Sequence, residues 1–375
     1  MFLNIVQDLK LQSGGVPRAA LFLELILKET GSSVRTFETR NGMFSVLCFL
    51  LKNCFGNFPV KYLYPKFQEF GGGVNSEGRD LKAFFHGIWT PEFWLFALLM
   101  RTLGIPYFVF AHGMLDKESM KSSPVKKKLA RLLIVDNYLR SAESVLVGSQ
   151  QEVNSWPDDL KGLKTGVFAN GAHTRKHAPL NKKMPLKLTK LLKKKRVFCY
   201  LGRTTPKKGL ELLINSFESV HRKSRHAVSL LILGMTENPE YEQKIRSKIV
   251  GSSAHSDIYY SSDLTGDQAR YVLSISSFFV LPSAHEGLPV SAIEALSFGV
   301  PAILTEQCNI FLDHSTGGET VVLCECSLSR AMLKLSNVSD KELKLIQKNA
   351  HNTFSERYST EALLDQLEDI FGKEG

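Results

Sequence analysis

The stretch Glu286 to Pro301, EGLPVSAIEALSFGVP, places two carboxylates, Glu286 and Glu294, around the start of one short helix. Pro289 suits a first helical position and Gly299 with Pro301 forms a stop signal, so the segment reads as a helix of ~10 residues. Glu286 then lies in the turn before that helix, and Glu294 more than a turn inside it. The preceding run Ser277 to Pro282, SFFVLP, has the length and apolarity of a strand. Glu286 therefore follows the carboxyl end of a strand, where open α/β sheets bind their ligands.

Apolar runs of strand length alternate with helical patterns in both directions from this segment, which predicts parallel sheets covered by helices. Towards the carboxyl end the strand Ala302 to Leu304 follows, and a closing helix spans Thr360 to Phe371. Towards the amino end lie strands Ile258 to Tyr260, Val228 to Leu233 and Val197 to Leu201. The first half adds strands at Phe2 to Val6, Val34 to Phe37, Ala83 to His86, Tyr107 to Phe110, Ser144 to Val147 and Thr165 to Ala169. Helices are expected from Pro17 to Lys28, Glu92 to Leu103 and Val125 to Leu139, whereas Leu51 to Asp80 has no readable period. Residues 181–196, NKKMPLKLTKLLKKKR, hold seven lysines and one arginine and read as a linker. Two domains follow, 1–175 and 176–375, in keeping with a 375-residue chain.

The strand at Val197 to Leu201 runs into Gly202-Arg203-Thr204-Thr205-Pro206-Lys207-Lys208-Gly209 and then a helix. Glycines let a ligand approach the backbone, and Arg203 and Lys208 beside a helix start suit a diphosphate. The order is not that of a Walker loop. Taken alone the turn reads sooner as a solvated basic loop. Together with the helix start at Pro289, whose amides and dipole end point to the same sheet edge, it becomes a site for a diphosphate. Glu294 is then placed for ribose hydroxyls and Glu286 for those of an attached sugar.

With 47 basic against 37 acidic residues the chain carries +10, which favours anionic partners. No nucleic-acid module or aromatic platform accompanies the charge, so nucleic acid is not expected. Lys126 to Arg131 and Lys182 to Arg196 suit peripheral contact with anionic lipid, or else form a solvated face and linker. The six cysteines, Cys48, Cys54, Cys199, Cys308, Cys324 and Cys326, have no metal-finger spacing and read as buried thiols of a reducing compartment. Met1 to Val6 enters a strand directly, unlike a secretory signal, and the longest apolar run, Met43 to Leu51, is far short of a membrane span. The expected location is the cytoplasm, peripheral to the inner face of the plasma membrane.

GRxxxxKG followed by EGLPVSAIEALSFGVP resembles the retaining glycosyltransferases of family 4, the glycogen-synthase-like and phosphatidylinositol-mannosyltransferase-like group. The likeness extends through Gly14-Gly15 after the first strand, His112-Gly113 in FVFAHGMLD, Ser149-Gln150, Asn170-Gly171, LLILG at 230–234 and GVPAILT. It implies a GT-B fold, two Rossmann-like domains facing across a cleft, with a nucleotide-sugar donor held mainly by the second and the last helix packing back on the first. Arg203 and Lys208 correspond to the diphosphate-binding cations, Glu286 to the acid near the transferred sugar and Glu294 to the ribose acid. Gly14 and Gly15 correspond to the loop that approaches the phosphates, and His112 to the histidine beside the sugar. Gly234, Gly287 and Leu288 complete the donor-contacting set. The resemblance implies no metal and no separate cofactor, and a glycan or polyprenyl-linked acceptor. Thr305 to Ile310, TEQCNI, departs from the small pair common there, and Phe168 to His173 departs from the usual Pro-Asn-Gly hinge. A nucleotide-sugar epimerase or hydrolase and a non-catalytic nucleotide-sugar-binding subunit remain alternatives. They are separated by whether the donor's sugar reaches an added acceptor, appears free or isomerised, or stays put.

Overall fold

A computed structural model of the chain describes residues 1–9, 15–39, 81–102, 104–172, 184–236, 238–264 and 266–371. Gly14, Met43 to Leu51, Cys48, Cys54, the whole Leu51 to Asp80 stretch, Leu103, His173, Lys182 and Lys183 lie outside the described residues. The chain divides into two compact units, Met1–Phe168 and Ala169–Gly375, a few residues ahead of the expected 175/176 division.

In the first unit β1 (Phe2–Val6), β2 (Val34–Glu38), β3 (Lys82–His86), β4 (Tyr107–Phe110), β5 (Ser144–Val147) and β6 (Thr165–Val167) form one sheet in the order β2-β1-β3-β4-β5-β6. Every pairing is parallel. Residues of β4 and β5 are buried without alternation, as helices on both faces of a parallel sheet require. One core lies beneath the helix Pro91–Thr102 and gathers Phe85, Phe93, Tyr107, Tyr138 and Trp156. The Phe85 ring meets Tyr107 edge-on at 5.7 Å between centroids.

The second unit repeats the plan. β7 (Arg196–Leu201), β8 (Val228–Leu233), β9 (Ile258–Ser261), β10 (Phe278–Leu281), β11 (Ala302–Thr305) and β12 (Gly318–Val321) run parallel in the order β12-β11-β10-β7-β8-β9. The chain builds outwards from β7 to β9 on one side, then returns to place β10 on the other side of β7. The topological switch point, where the crevice of such sheets opens, is therefore between β7 and β10.

Four expectations need correction. The edge strand β12 was not foreseen, because Gly318-Glu319-Thr320-Val321 has no apolar run. The expected helix Val125 to Leu139 is helical from Pro124 to Arg140 but contains a π turn, Arg131–Val135. The lysine-rich stretch is not linker throughout: Leu186–Leu191 is a helix that buries Leu188 and Leu191. Finally, Cys199 and Cys308 are buried, and burial pushes both thiols up to about 12, but Cys324 and Cys326 are exposed. The Cys324 sulfur instead caps the helix Glu325–Ser336, accepting from the Ser327 amide at 3.3 Å.

Candidate functional site

In the second unit, the loops that follow β7 and β10 flank the switch point, and they are joined by their backbones. The Ala284 amide donates to the Lys207 carbonyl at 2.8 Å, and the Ser283 hydroxyl donates to the same oxygen at 3.1 Å. Gly209 follows in the left-handed conformation at φ 68°, and a Cβ there would stand 2.1 Å from the Pro282 carbonyl oxygen. Only glycine fits so close an approach. Tyr200 is buried below, and its hydroxyl donates to the Arg203 carbonyl at 2.7 Å, which fixes the start of the β7 loop.

Those constraints bring Lys208 and Glu286 together as an ion pair whose side chains are 11% and 13% exposed. The pair is shielded, so its attraction is screened less than at an open surface. The Glu286 segment is held from its other side by Asn309, in the left-handed region at φ 58°, whose amide donates to the carbonyls of Glu286 at 2.8 Å and Gly287 at 2.9 Å. Asn309 belongs to the stretch that departs from the family pattern. Asparagine is among the few non-glycine residues that tolerate this conformation.

The helix after Glu286 is Val290–Ser297, shorter than expected, with Pro289 at its N-cap rather than inside it. Leu288 is buried, and its carbonyl accepts from the Asn170 side chain at 2.9 Å. Glu294 is 4% exposed, and Arg270 Nε donates to it at 3.0 Å. Arg270 was not singled out from the sequence, since nothing in GDQARYVLS marks it. Gly234 is explained by packing, because a Cβ there would fall 2.5 Å from the Gly202 carbonyl oxygen.

In the first unit His112 lies in the turn after β4, in the left-handed region at φ 47°, while Gly15 is exposed at the start of the helix Gly15–Glu29. The strain at His112 is held by Glu152, 1% exposed, whose carboxylate accepts from the amides of Gly113 at 2.6 Å and Gly148 at 3.0 Å. Of the pair Ser149-Gln150 noted in the sequence, neither does this work; the glutamate two residues on does.

His112 also contacts the buried His86, Nε2 to Nδ1 at 3.1 Å. The proton positions follow from a chain of partners. The Asn4 amide nitrogen donates to the Ala20 carbonyl at 2.8 Å, which fixes the amide orientation, so its oxygen faces His86 Nε2 at 2.7 Å. His86 must then donate from Nε2. Burial, then the neighbouring His112 ring, hold His86 well below the usual histidine value, and burial lowers His112 to about 4. Both rings are neutral near pH 7, so His86 Nδ1 accepts from His112 Nε2–H. His112 is left with Nδ1 as an acceptor.

Residues 187–352 match the family model described as glycosyl transferases group 1. That segment contains both loops of the switch point. The second unit is a group 1 glycosyl transferase domain. An uncharacterized glycosyltransferase of Methanocaldococcus jannaschii is 30% identical over 203 residues, 53% of this chain and 46% of that protein. The UDP-Gal:alpha-D-GlcNAc-diphosphoundecaprenol alpha-1,3-galactosyltransferase of Escherichia coli is 24% identical over 223 residues, 56% of this chain and 54% of that protein. The chain thus matches about half the length of these curated relatives. Among solved structures, sucrose-phosphate synthase from Thermosynechococcus elongatus aligns over 99% of this chain and 98% of its own, with TM-score 0.69 and 16% identity. HepE of Anabaena in complex with UDP-glucose covers 99% of each chain, with TM-score 0.66 and 19% identity. The architecture around the group 1 domain is accordingly α/β of the GT-B class.

Proposed function

We propose that the chain transfers a sugar from a nucleotide-diphosphate sugar to a hydroxyl of a glycan or lipid-linked glycan, with retention of configuration, in polysaccharide biosynthesis. The observation that carries this reading is the Lys208–Glu286 pair, set by two interlocked loops at the switch point of a group 1 glycosyl transferase domain. Arg203 and Lys208 hold the diphosphate, Glu294 the ribose and Glu286 the transferred sugar, with Gly14, Gly15, Gly287 and Leu288 as backbone contacts. Gly234 serves this group by letting the β8 loop close on the β7 loop. His112 meets a sugar hydroxyl through Nδ1. In the transfer, the acceptor oxygen bonds to the anomeric carbon as the bond from that carbon to the diphosphate oxygen breaks. The acceptor's proton passes to the leaving diphosphate, whose charge the two cations stabilise.

The nucleotide sugar is the donor substrate, no metal or separate cofactor takes part, and the protein works in the cytoplasm with peripheral contact to the inner face of the plasma membrane. HepE, which has been solved with UDP-glucose, makes uridine nucleotides the first to try. The test is a thermal-shift series with UDP, GDP, ADP and their common sugars, followed by transfer of labelled sugar to polyprenyl-linked glycans. A ligand that binds only the folded state raises the melting point. No shift with any nucleoside diphosphate would remove the reading.

A further inference from the structure

The helical segment from Pro124 to Arg140 lies on the first unit with its apolar face outwards. Val125, Leu129, Leu132 and Leu133 recur at the spacing of one helix face, and they are 79%, 55%, 81% and 66% exposed. Two of its cations, Lys127 and Arg131, are turned to the protein. Lys127 Nζ stands 5.0 Å from the Trp89 ring centroid and donates to the Ser119 carbonyl at 2.6 Å. Arg131 is 14% exposed, donates from Nε to Asp136 at 2.8 Å and pairs with Asp159. This inverts the usual arrangement of a surface helix.

The π turn accounts for how the inversion coexists with a core. A wide turn sets the helix back by about one residue, so Val135, Tyr138 and Leu139 reach the interior while Leu132 and Leu133 remain outside. The neighbouring helix Pro91–Thr102 extends the surface with Leu95 and Leu98, both exposed. Between the two helices runs a groove of about 430 Å³ lined by Trp94, Leu95, Leu98, Arg101, Leu133 and Ile134 among others. Lys126 and Lys128 flank the stripe, and both are exposed.

We propose that this face is the membrane contact: Val125, Leu129, Leu132 and Leu133 enter the interfacial layer of an anionic bilayer while Lys126 and Lys128 meet lipid phosphates. The proposal rests on the peripheral-membrane reading above and deepens it by naming the surface. Charge selects the occupant. A second copy packed stripe to stripe would oppose lysine with lysine, whereas an anionic bilayer supplies an apolar phase and the compensating charge together. In the other basic stretch the last three cations have acidic partners within the protein: Lys194 pairs with Asp257 at 3.1 Å, and Lys195 and Arg196 both pair with Asp340.

Co-sedimentation of the full chain tests this, with vesicles of equimolar phosphatidylcholine and phosphatidylglycerol against phosphatidylcholine alone. The wild type should bind the anionic vesicles, less so at high salt. Leu132→Ser/Leu133→Ser should lower partitioning by ~10-fold or more, and Lys126→Glu/Lys128→Glu should abolish the preference for phosphatidylglycerol. Lys187→Glu/Lys190→Glu should bind as wild type. The replaced leucines are exposed, so an unchanged melting curve is expected and is checked alongside. If the wild type does not bind, both this face and the membrane reading fall. If the leucine variant binds as well as wild type while the Lys187/Lys190 variant does not, this face is wrong and the membrane reading stands. A dimer in solution that dissociates in the leucine variant would also overturn the assignment.

Discussion

Lys208 carries three N–H donors, and Glu286 occupies one of them in the resting pair. The ammonium can therefore hold Glu286 and a phosphate oxygen at once. Lys208→Ala should weaken nucleoside-diphosphate binding by ~1.5–3 kcal/mol, the usual value of a charge-assisted hydrogen bond. Unchanged affinity by calorimetry would contradict its role. Glu286→Ala should leave that affinity equal or higher, because Lys208 loses a competitor, yet lower turnover. Parallel losses in both constants would reduce Glu286 to a binding residue. The histidines make a separate prediction. In the unfolded chain they titrate near ~6.5, but in the fold both stay neutral well below that, His112 to about 4. As pH falls from ~6.5 the unfolded state takes up protons that the native state refuses, so stability drops by up to ~1.4 kcal/mol per pH unit for each histidine. Denaturant melts of His86→Gln at stepped pH should show a shallower acid slope than wild type.

At the scale of elements, the switch-point loops behave as one structure. Gly209→Ala must both adopt a left-handed φ and escape the Pro282 carbonyl oxygen, 2.1 Å from the added carbon. A loss of ~2 kcal/mol or more is expected, together with weakened nucleotide binding as the Lys208 loop leaves Glu286. A melting curve superimposable on wild type would show that the loops are not locked. Much of this was legible in the chain. The carboxylates at 286 and 294, the basic turn at 203–209 and the strands around them could be read because apolar runs and glycine or proline punctuation mark them directly. Arg270, Glu152 and Asn309 could not be assigned these roles, since each acts through a partner distant in sequence. Strand β12 escaped because an edge strand held by register to β11 needs little apolarity of its own.

At the scale of the whole molecule, each of the two sheets has a switch point of its own. The charge excess of +10 is unevenly compensated, with the lysines at 194–195 paired and those at 126 and 128 exposed. Among the described residues no helix is long and apolar enough to cross a membrane. If fixed cations alone neutralise the leaving diphosphate, transfer activity should persist in EDTA at wild-type rate. Loss that magnesium or manganese restores would refute a metal-free reaction.

The hydrogen bonds from Ala284 and Ser283 to the Lys207 carbonyl have a consequence for recombination among relatives of this chain. A chimera that imports the basic turn from another protein without its acidic partner segment would graft half of a latch. Exchange of specificity between such proteins should therefore succeed only when both segments travel together.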